Sequence, residues 1–205
     1  MRFREFESRI RALPAFNLND VRKLDPGFHR QQLNYWHNQG YIQPLAGGYY
    51  LLADRAMDEM VLFMVANKIY EPSYVSLESA LAYYEIIPET VLGVTSISSR
   101  KTKQYDSAWG VFSYRSVKPH TMIGYQVIEN TPGIKFKIAY LEKAILDYLY
   151  LNSKTQSIAD FEGLRWNRTQ LHDLLDHSVF TRYVKLFDKR ALENRVTQFL
   201  EYLNA

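Results

Sequence analysis

Residues 71–88 read Glu-Pro-Ser-Tyr-Val-Ser-Leu-Glu-Ser-Ala-Leu-Ala-Tyr-Tyr-Glu-Ile-Ile-Pro. Pro72 and Pro88 lack the amide donor that a helix interior needs, so they bracket a helix of about 10 residues. Ser76 stands as its N-cap, its hydroxyl placed to accept an orphan amide one turn in, and Glu78 sits where the helix dipole favours an anion. Leu77, Ala80, Leu81 and Tyr84 recur at helical spacing and give the helix one apolar face, the pattern of a buried core element. Ser73, Ser76 and Ser79 have no flanking glycines and make no nucleophile elbow.

Immediately upstream, residues 54–70 carry Met57, Met60, Val61, Met64, Val65 and Ile69 on one side of a second helix. It leads into the central one without a Gly/Ser linker. The chain therefore divides near Leu52 to Arg55, into residues 1–53 and 54–205, with the two parts expected to be rigidly coupled.

Residues 1–53 spell three short helices and a hairpin. Phe3, Phe6, Ile10 and Leu13 form an amphipathic stripe that Pro14 ends. Asn17 with Asp20 three residues on is a capping-box arrangement, and Leu18, Val21 and Leu24 are the buried side of the helix it starts. Asp25-Pro26-Gly27 turns the chain, and a third helix runs from about Phe28 to Gln39, with Phe28, Leu33 and Trp36 inward and Gly40 supplying the left-handed position that closes it. Its opposite face holds Arg30, Gln31, Asn34 and Asn38, side chains able to pair with guanine or adenine edges in a major groove. Tyr41-Ile42-Gln43 and Tyr49-Tyr50-Leu51-Leu52 flank Gly47-Gly48 as a hairpin. Three helices with a tight turn before the third, then a hairpin, make a winged helix-turn-helix. Its wing has no Lys or Arg.

Downstream the pattern turns to strands from Val91: 94–97, 110–117, 125–128 and 134–138, read as a mostly antiparallel sheet with a turn at Thr131-Pro132-Gly133. Between the first two lies a polar loop, 98–104, whose Arg100, Lys101 and Lys103 suit phosphate contacts. Residues 140–151 return to helix, with Leu141, Ala144, Ile145, Tyr148 and Leu149 inward and Glu142, Lys143 and Asp147 outward, the last two an exposed i, i+4 pair. Residues 157–205 are helical, with Asp188 capping the last helix. The fold class is α+β: an N-terminal winged helix-turn-helix followed by a larger domain with a mostly antiparallel sheet and C-terminal helices.

Among 205 residues there is no cysteine, which removes disulfides, iron–sulfur clusters and thiolate zinc and suits a reducing cytoplasm. Hydrophobic residues make up 47 %, enough for a sizeable core. The uncharged run 31–53 is too often interrupted by Gln, Asn and His to cross a bilayer, and the mixed-charge N-terminus is no secretory signal, so no membrane partner is expected. The net charge of +3 lies entirely in the first fifty residues, where Arg2, Arg4, Arg9, Arg11, Arg22, Lys23 and Arg30 face Glu5, Glu7, Asp20 and Asp25. His172, Asp176 and His177 do not converge as metal ligands, and Glu129 with Lys135 and Lys137 lacks the second acid that a Mg²⁺ nuclease needs. Phosphate-binding loops and dinucleotide glycine patterns are missing. No catalysis, metal or cofactor is expected.

Several of these pieces together resemble one family, the AbiEi-type antitoxins of bacterial abortive-infection toxin–antitoxin pairs. They are Gly40-Tyr41-Ile42 with Gly48-Tyr49-Tyr50, the run Ser73 to Leu81, Val94-Thr95-Ser96 with Arg100 to Lys103, and Leu141-Glu142-Lys143-Ala144-Ile145-Leu146-Asp147, in that order over about residues 10–151. The resemblance implies a cytoplasmic antitoxin that binds operator DNA, represses its own operon and counteracts a nucleotidyltransferase-type toxin. The chain lacks the Gly-Ser and Asp-x-Asp pattern of such toxins. The alternative, from a different class, is a protein-interaction module whose winged helix docks a partner chain instead of DNA.

Overall fold

The computed structural model describes residues 1–88, 92–131 and 134–205. Helix α1 (Phe3–Ile10), strand β1 (Phe16–Asn17), α2 (Leu18–Leu24), α3 (Gln31–Asn38), β2 (Ile42–Pro44) and β3 (Tyr49–Leu52) form the first layer, its three strands ordered β1-β3-β2 and antiparallel. The capping box at the start of α2 is made: Asn17 accepts from the amides of Asn19 and Asp20, and Asp20 accepts from the Asn17 amide. Phe28 lies outside α3, which starts three residues later than its apolar pattern suggests, and Phe6, Phe28 and Phe3 pack around Trp36 at 4.7, 5.1 and 5.3 Å between ring centres. Strand β1 was not expected. Two residues are too few to carry a period of their own.

Next come α4 (Glu59–Ile69), β4 (Ser73–Val75), α5 (Leu77–Tyr83), β5 (Gly93–Ser98), β6 (Lys103–Ser107), β7 (Gly110–Ser116), β8 (Tyr125–Thr131), β9 (Ile134–Ala139), α6 (Leu141–Leu151), α7 (Ile158–Gly163), α8 (Arg168–Leu174), α9 (His177–Phe187) and α10 (Arg190–Asn204). The class is mixed α+β. Helix α4 begins only at Glu59, because Asp58 caps it by accepting from the Val61 amide. The six-stranded sheet runs β6-β7-β5-β4-β9-β8. It is mixed: β6–β7, β5–β4 and β9–β8 are antiparallel, whereas β7–β5 and β4–β9 are parallel. Pro132 and Gly133 of the expected turn, and Val91, lie outside the described residues.

Two hydrophobic clusters result. The smaller gathers Phe6, Ile10, Phe16, Val21, Phe28, Leu33, Trp36, Ile42 and Leu52; the larger contains the sheet and the remaining helices and also takes Ala15, Leu45 and Leu51. Leu51 and Leu52 are neighbours on one strand and so point to opposite faces, one into each cluster. Arg55 adds polar ties by donating to the carbonyls of Arg11 and Leu13, the latter at 2.9 Å.

The central stretch departs most from expectation. Val75 of β4 lies on the face covered by α4, whose Ala66 carbonyl accepts from Tyr114, and Tyr74 points the other way. There it meets Lys143 and Asp147 of α6, which are fully buried rather than outward. Lys143 donates to Asp147 and, at 2.7 Å, to the Tyr74 hydroxyl; Tyr74 and Ser76 donate to Asp147 at 3.0 and 2.8 Å. Glu142 is buried too, accepting from the Asp176 amide at 2.9 Å. The Ser76 hydroxyl, turned to Asp147, makes no capping hydrogen bond, and Thr95 takes that role by accepting from the Ser79 amide at 3.0 Å. Helix α5 spans seven residues instead of about ten because Leu77 starts it from a positive φ of 57° and Glu85, φ 58°, ends it.

The C-terminal helices cover this network. Tyr150 of α6 packs on Phe187 of α9 at 5.1 Å, Arg195 of α10 donates to the Leu149 carbonyl, and Phe161 of α7 meets Phe199 at 5.6 Å. Asp188 does not cap α10; it closes α9 in the left-handed conformation, φ 45°. Among the described residues no helix is long and apolar enough to cross a membrane.

Replacing Asp147 by Ala strands the Lys143 ammonium in an apolar interior and should destabilise the chain by about 3–5 kcal/mol in urea unfolding. The double change Lys143→Met with Asp147→Leu should cost less than Asp147→Ala alone. Burial raises the phenol of Tyr84 from 10.0 to about 12, and those of Tyr74 and Tyr114 also upward. A raised folded-state value gives stability that is complete below the unfolded value and lost as pH climbs through the folded one. The denaturation midpoint should therefore fall between pH 10 and about 12, less steeply in Tyr84→Phe.

Candidate nucleic-acid interface

Helix α3 is held by its apolar side, Leu33 and Trp36 being 1 and 2 % exposed. That leaves Gln31, Asn34 and Asn38 in solvent on the outer side, at the i, i+3 and i+7 spacing of a single face. Tyr35 completes the face at 58 % exposure. Sequence reasoning passed over it because tyrosine scores as a core residue; its place four residues after Gln31 was the available signal. Arg30 lies just before the helix and is exposed, lining a depression of about 290 Å³ with Asn17, Asn19, Gly47, Gly48 and Tyr50. It therefore stands at the mouth between α2, the N-terminus of α3 and the hairpin turn, apart from Asn38 at the far end of the helix.

The hairpin turn continues this surface onto the larger sheet. Gly47 has a positive φ of 60°, and a Cβ there would meet the Tyr105 ring at 3.1 Å. Tyr105 belongs to β6, the strand that replaces part of the expected basic loop and leaves only residues 99–102 as connection. Lys103 opens that strand with its ammonium 5.4 Å from the Tyr105 ring centre. The hairpin without cations is thus placed against a strand that has one.

Arg100 and Lys101 sit at the base of the same strand, both exposed. The Arg100 guanidinium lies 4.2 Å from the Tyr70 ring centre and donates to the Glu71 carbonyl just past the C-terminus of α4, where a cation also meets the negative end of the dipole. Tyr70 donates in turn to the Lys101 carbonyl at 2.7 Å. Rings of Tyr70, Tyr105 and Tyr114 pack at 4.7 to 6.2 Å, so the basic segment is pinned to an aromatic floor. The structure brings Arg30, the hairpin turn and Lys103 into one continuous surface and holds Arg100 against Tyr70. Chemically the surface offers hydrogen-bonding amides on α3 and cations at one flank.

Elsewhere, Asp176 accepts from the amides of Ser178 and Val179 as the N-cap of α9, and Glu129 pairs with Lys135 at 2.9 Å. Among the described residues no group of three or more His, Cys, Asp or Glu side chains is arranged to hold a metal. No family model matches the chain, and no curated protein matches it.

A Gly47→Val change combines an unfavourable backbone region with a clash on Tyr105 and should lower the thermal midpoint. Adding Tyr105→Ala removes the clash but not the backbone cost, so the double variant should recover only part of the loss.

Proposed function

We propose that residues 1–53 act as a winged helix-turn-helix that reads duplex DNA, and that the chain is an autoregulating antitoxin of the AbiEi type, with its own operator as DNA partner and a nucleotidyltransferase-type toxin as functional partner. One observation carries the DNA half: α3 presents Gln31, Asn34 and Asn38 to solvent after a tight turn, and a hairpin follows it in the sheet order β1-β3-β2. Asn and Gln pair with adenine edges and Arg30 with guanine; Lys101, Lys103 and the free edge of Arg100 serve phosphates. The antitoxin half rests on the motif resemblance, in which the Ser73–Leu81 and Leu141–Asp147 runs meet around the Tyr74, Ser76, Lys143 and Asp147 network.

A gel-shift titration against the chain's own upstream DNA at two salt concentrations, beside scrambled DNA of equal length, tests the DNA half. Sequence-selective binding that weakens steeply with salt is expected. Arg30→Ala with Asn34→Ala should relax base discrimination, whereas Lys101→Ala or Lys103→Ala should weaken all duplexes about equally and reduce the salt slope by about 1. Unchanged operator binding in the Arg30/Asn34 double variant would remove α3 as the reading element. Salt-insensitive association with a protein partner would favour the docking-module alternative, for which the exposed Tyr35 ring is the observation.

A further inference from the structure

The second surface of interest lies at the other end of the sheet. Strand β8 is an edge strand, and its register with β9 pairs Tyr125 with Ala139, Val127 with Lys137 and Glu129 with Lys135. Directly paired residues share a face, so Tyr125, Val127, Lys135 and Lys137 stand together on the side that Tyr74 also occupies. Helix α6 and the C-terminal helices cover Tyr74 but stop short of β8: Tyr125 remains 37 % exposed, Val127 61 % and Tyr140, at the start of α6, 40 %. Tyr183 of α9 approaches the same corner, where a Cβ on Gly124 would lie 3.0 Å from its ring.

We propose that this open sheet face binds single-stranded nucleic acid. Three features carry it. The inner side of the Tyr125 ring is stacked on Tyr74, 5.0 Å between centres and 16° between planes, so its outer side is held ready for a base with little further loss of freedom. Val127, 61 % exposed and two residues on along β8, extends the apolar platform on the same face. Two cations flank this platform on the adjacent strand of the same face: Lys137 is paired with Val127, and Lys135, paired with Glu129, bridges its carboxylate at 2.9 Å. An exposed ring beside cations on a pleated face stacks a base and neutralises phosphates of a single strand, and a duplex, whose bases are already stacked, gains nothing from the ring. A protein strand added to β8 would use the edge amides but leave the tyrosine face and its lysines unexplained.

The test uses the full chain and fluorescein-labelled oligo(dT) and oligo(U) of about 12 nucleotides, read by anisotropy at low and moderate salt. Both are expected to bind, a preference between them telling DNA from RNA as the source of the strand. Tyr125→Ala should weaken binding about fivefold or more, and Tyr125→Phe, which keeps the ring on Tyr74, should restore it. Lys137→Ala, at a half-buried position, should flatten the salt dependence while leaving the thermal midpoint close to the parent's, and Arg30→Ala with Asn34→Ala should leave single-strand binding intact, which separates this face from α3. The proposal falls if neither oligonucleotide binds at low salt, if Tyr125→Ala and Lys137→Ala bind as tightly as the parent, or if binding is lost in the Arg30/Asn34 variant instead.

Discussion

A lysine and an aspartate one turn apart on α6, both sealed from water, set the terms for the larger part of the molecule. Burying either ion costs several kcal/mol, and the attraction between them offsets that only when their remaining donors and acceptors are satisfied. Burial pulls the Lys143 pKa below its ordinary value, and Asp147 works to hold it up. The Tyr74 and Ser76 hydroxyls complete the set, and both come from the strand–helix corner at residues 73–77. Helix α6 and strand β4 must therefore take one relative position. Because β4 lies between β5 and β9, the same network locates both halves of the sheet.

This constraint also explains the local oddities around it. Ser76 aims its O–H at Asp147 and accepts from no α5 amide, and the direction it takes is favoured because hydrogen bonds to ions are the stronger ones. The orphan amide of Ser79 is then met from the neighbouring strand by Thr95, whose own amide donates to the Ser79 hydroxyl at 2.9 Å. Leu77 accepts a positive φ to make the corner, a backbone cost of about 1–2 kcal/mol that only a tightly determined surrounding sustains.

Elements that announce themselves locally were legible in the sequence: the Asn17–Asp20 box, the Asp25–Gly27 turn, the apolar stripe of α3 and the four longer strands each follow from residues within a few positions of one another. The misplaced ones depended on partners far along the chain. Lys143 and Asp147 have the spacing of a solvated helix pair, and nothing near them says that Tyr74 and Ser76, some seventy residues away, will cover them. The three-residue strand β4 is too short to show a period, and β6 is masked by the polarity of Lys103, Gln104 and Asp106, an edge strand dressed for solvent. At the candidate interface the α3 side chains could be named in advance, but the junction of hairpin turn and β6 could not. It arises from Gly47 against Tyr105, a contact between parts of the chain that share no motif.

That junction alters the electrostatic argument about the hairpin. A turn without Lys or Arg neutralises no phosphate by itself, and duplex affinity scales with the number of phosphates neutralised. Yet the turn is too short to reach far by itself, and Gly47 leaves it resting on the ring that carries Lys103. Placing the cation on β6 has a physical advantage over placing it on the turn. A lysine on a mobile hairpin loses side-chain and backbone freedom on binding, whereas one anchored over Tyr105 on a paired strand has less left to lose. The buried Leu45 and Leu51 then make the hairpin part of the larger core, so a force on the hairpin is transmitted to the sheet instead of being absorbed by a flexible linker.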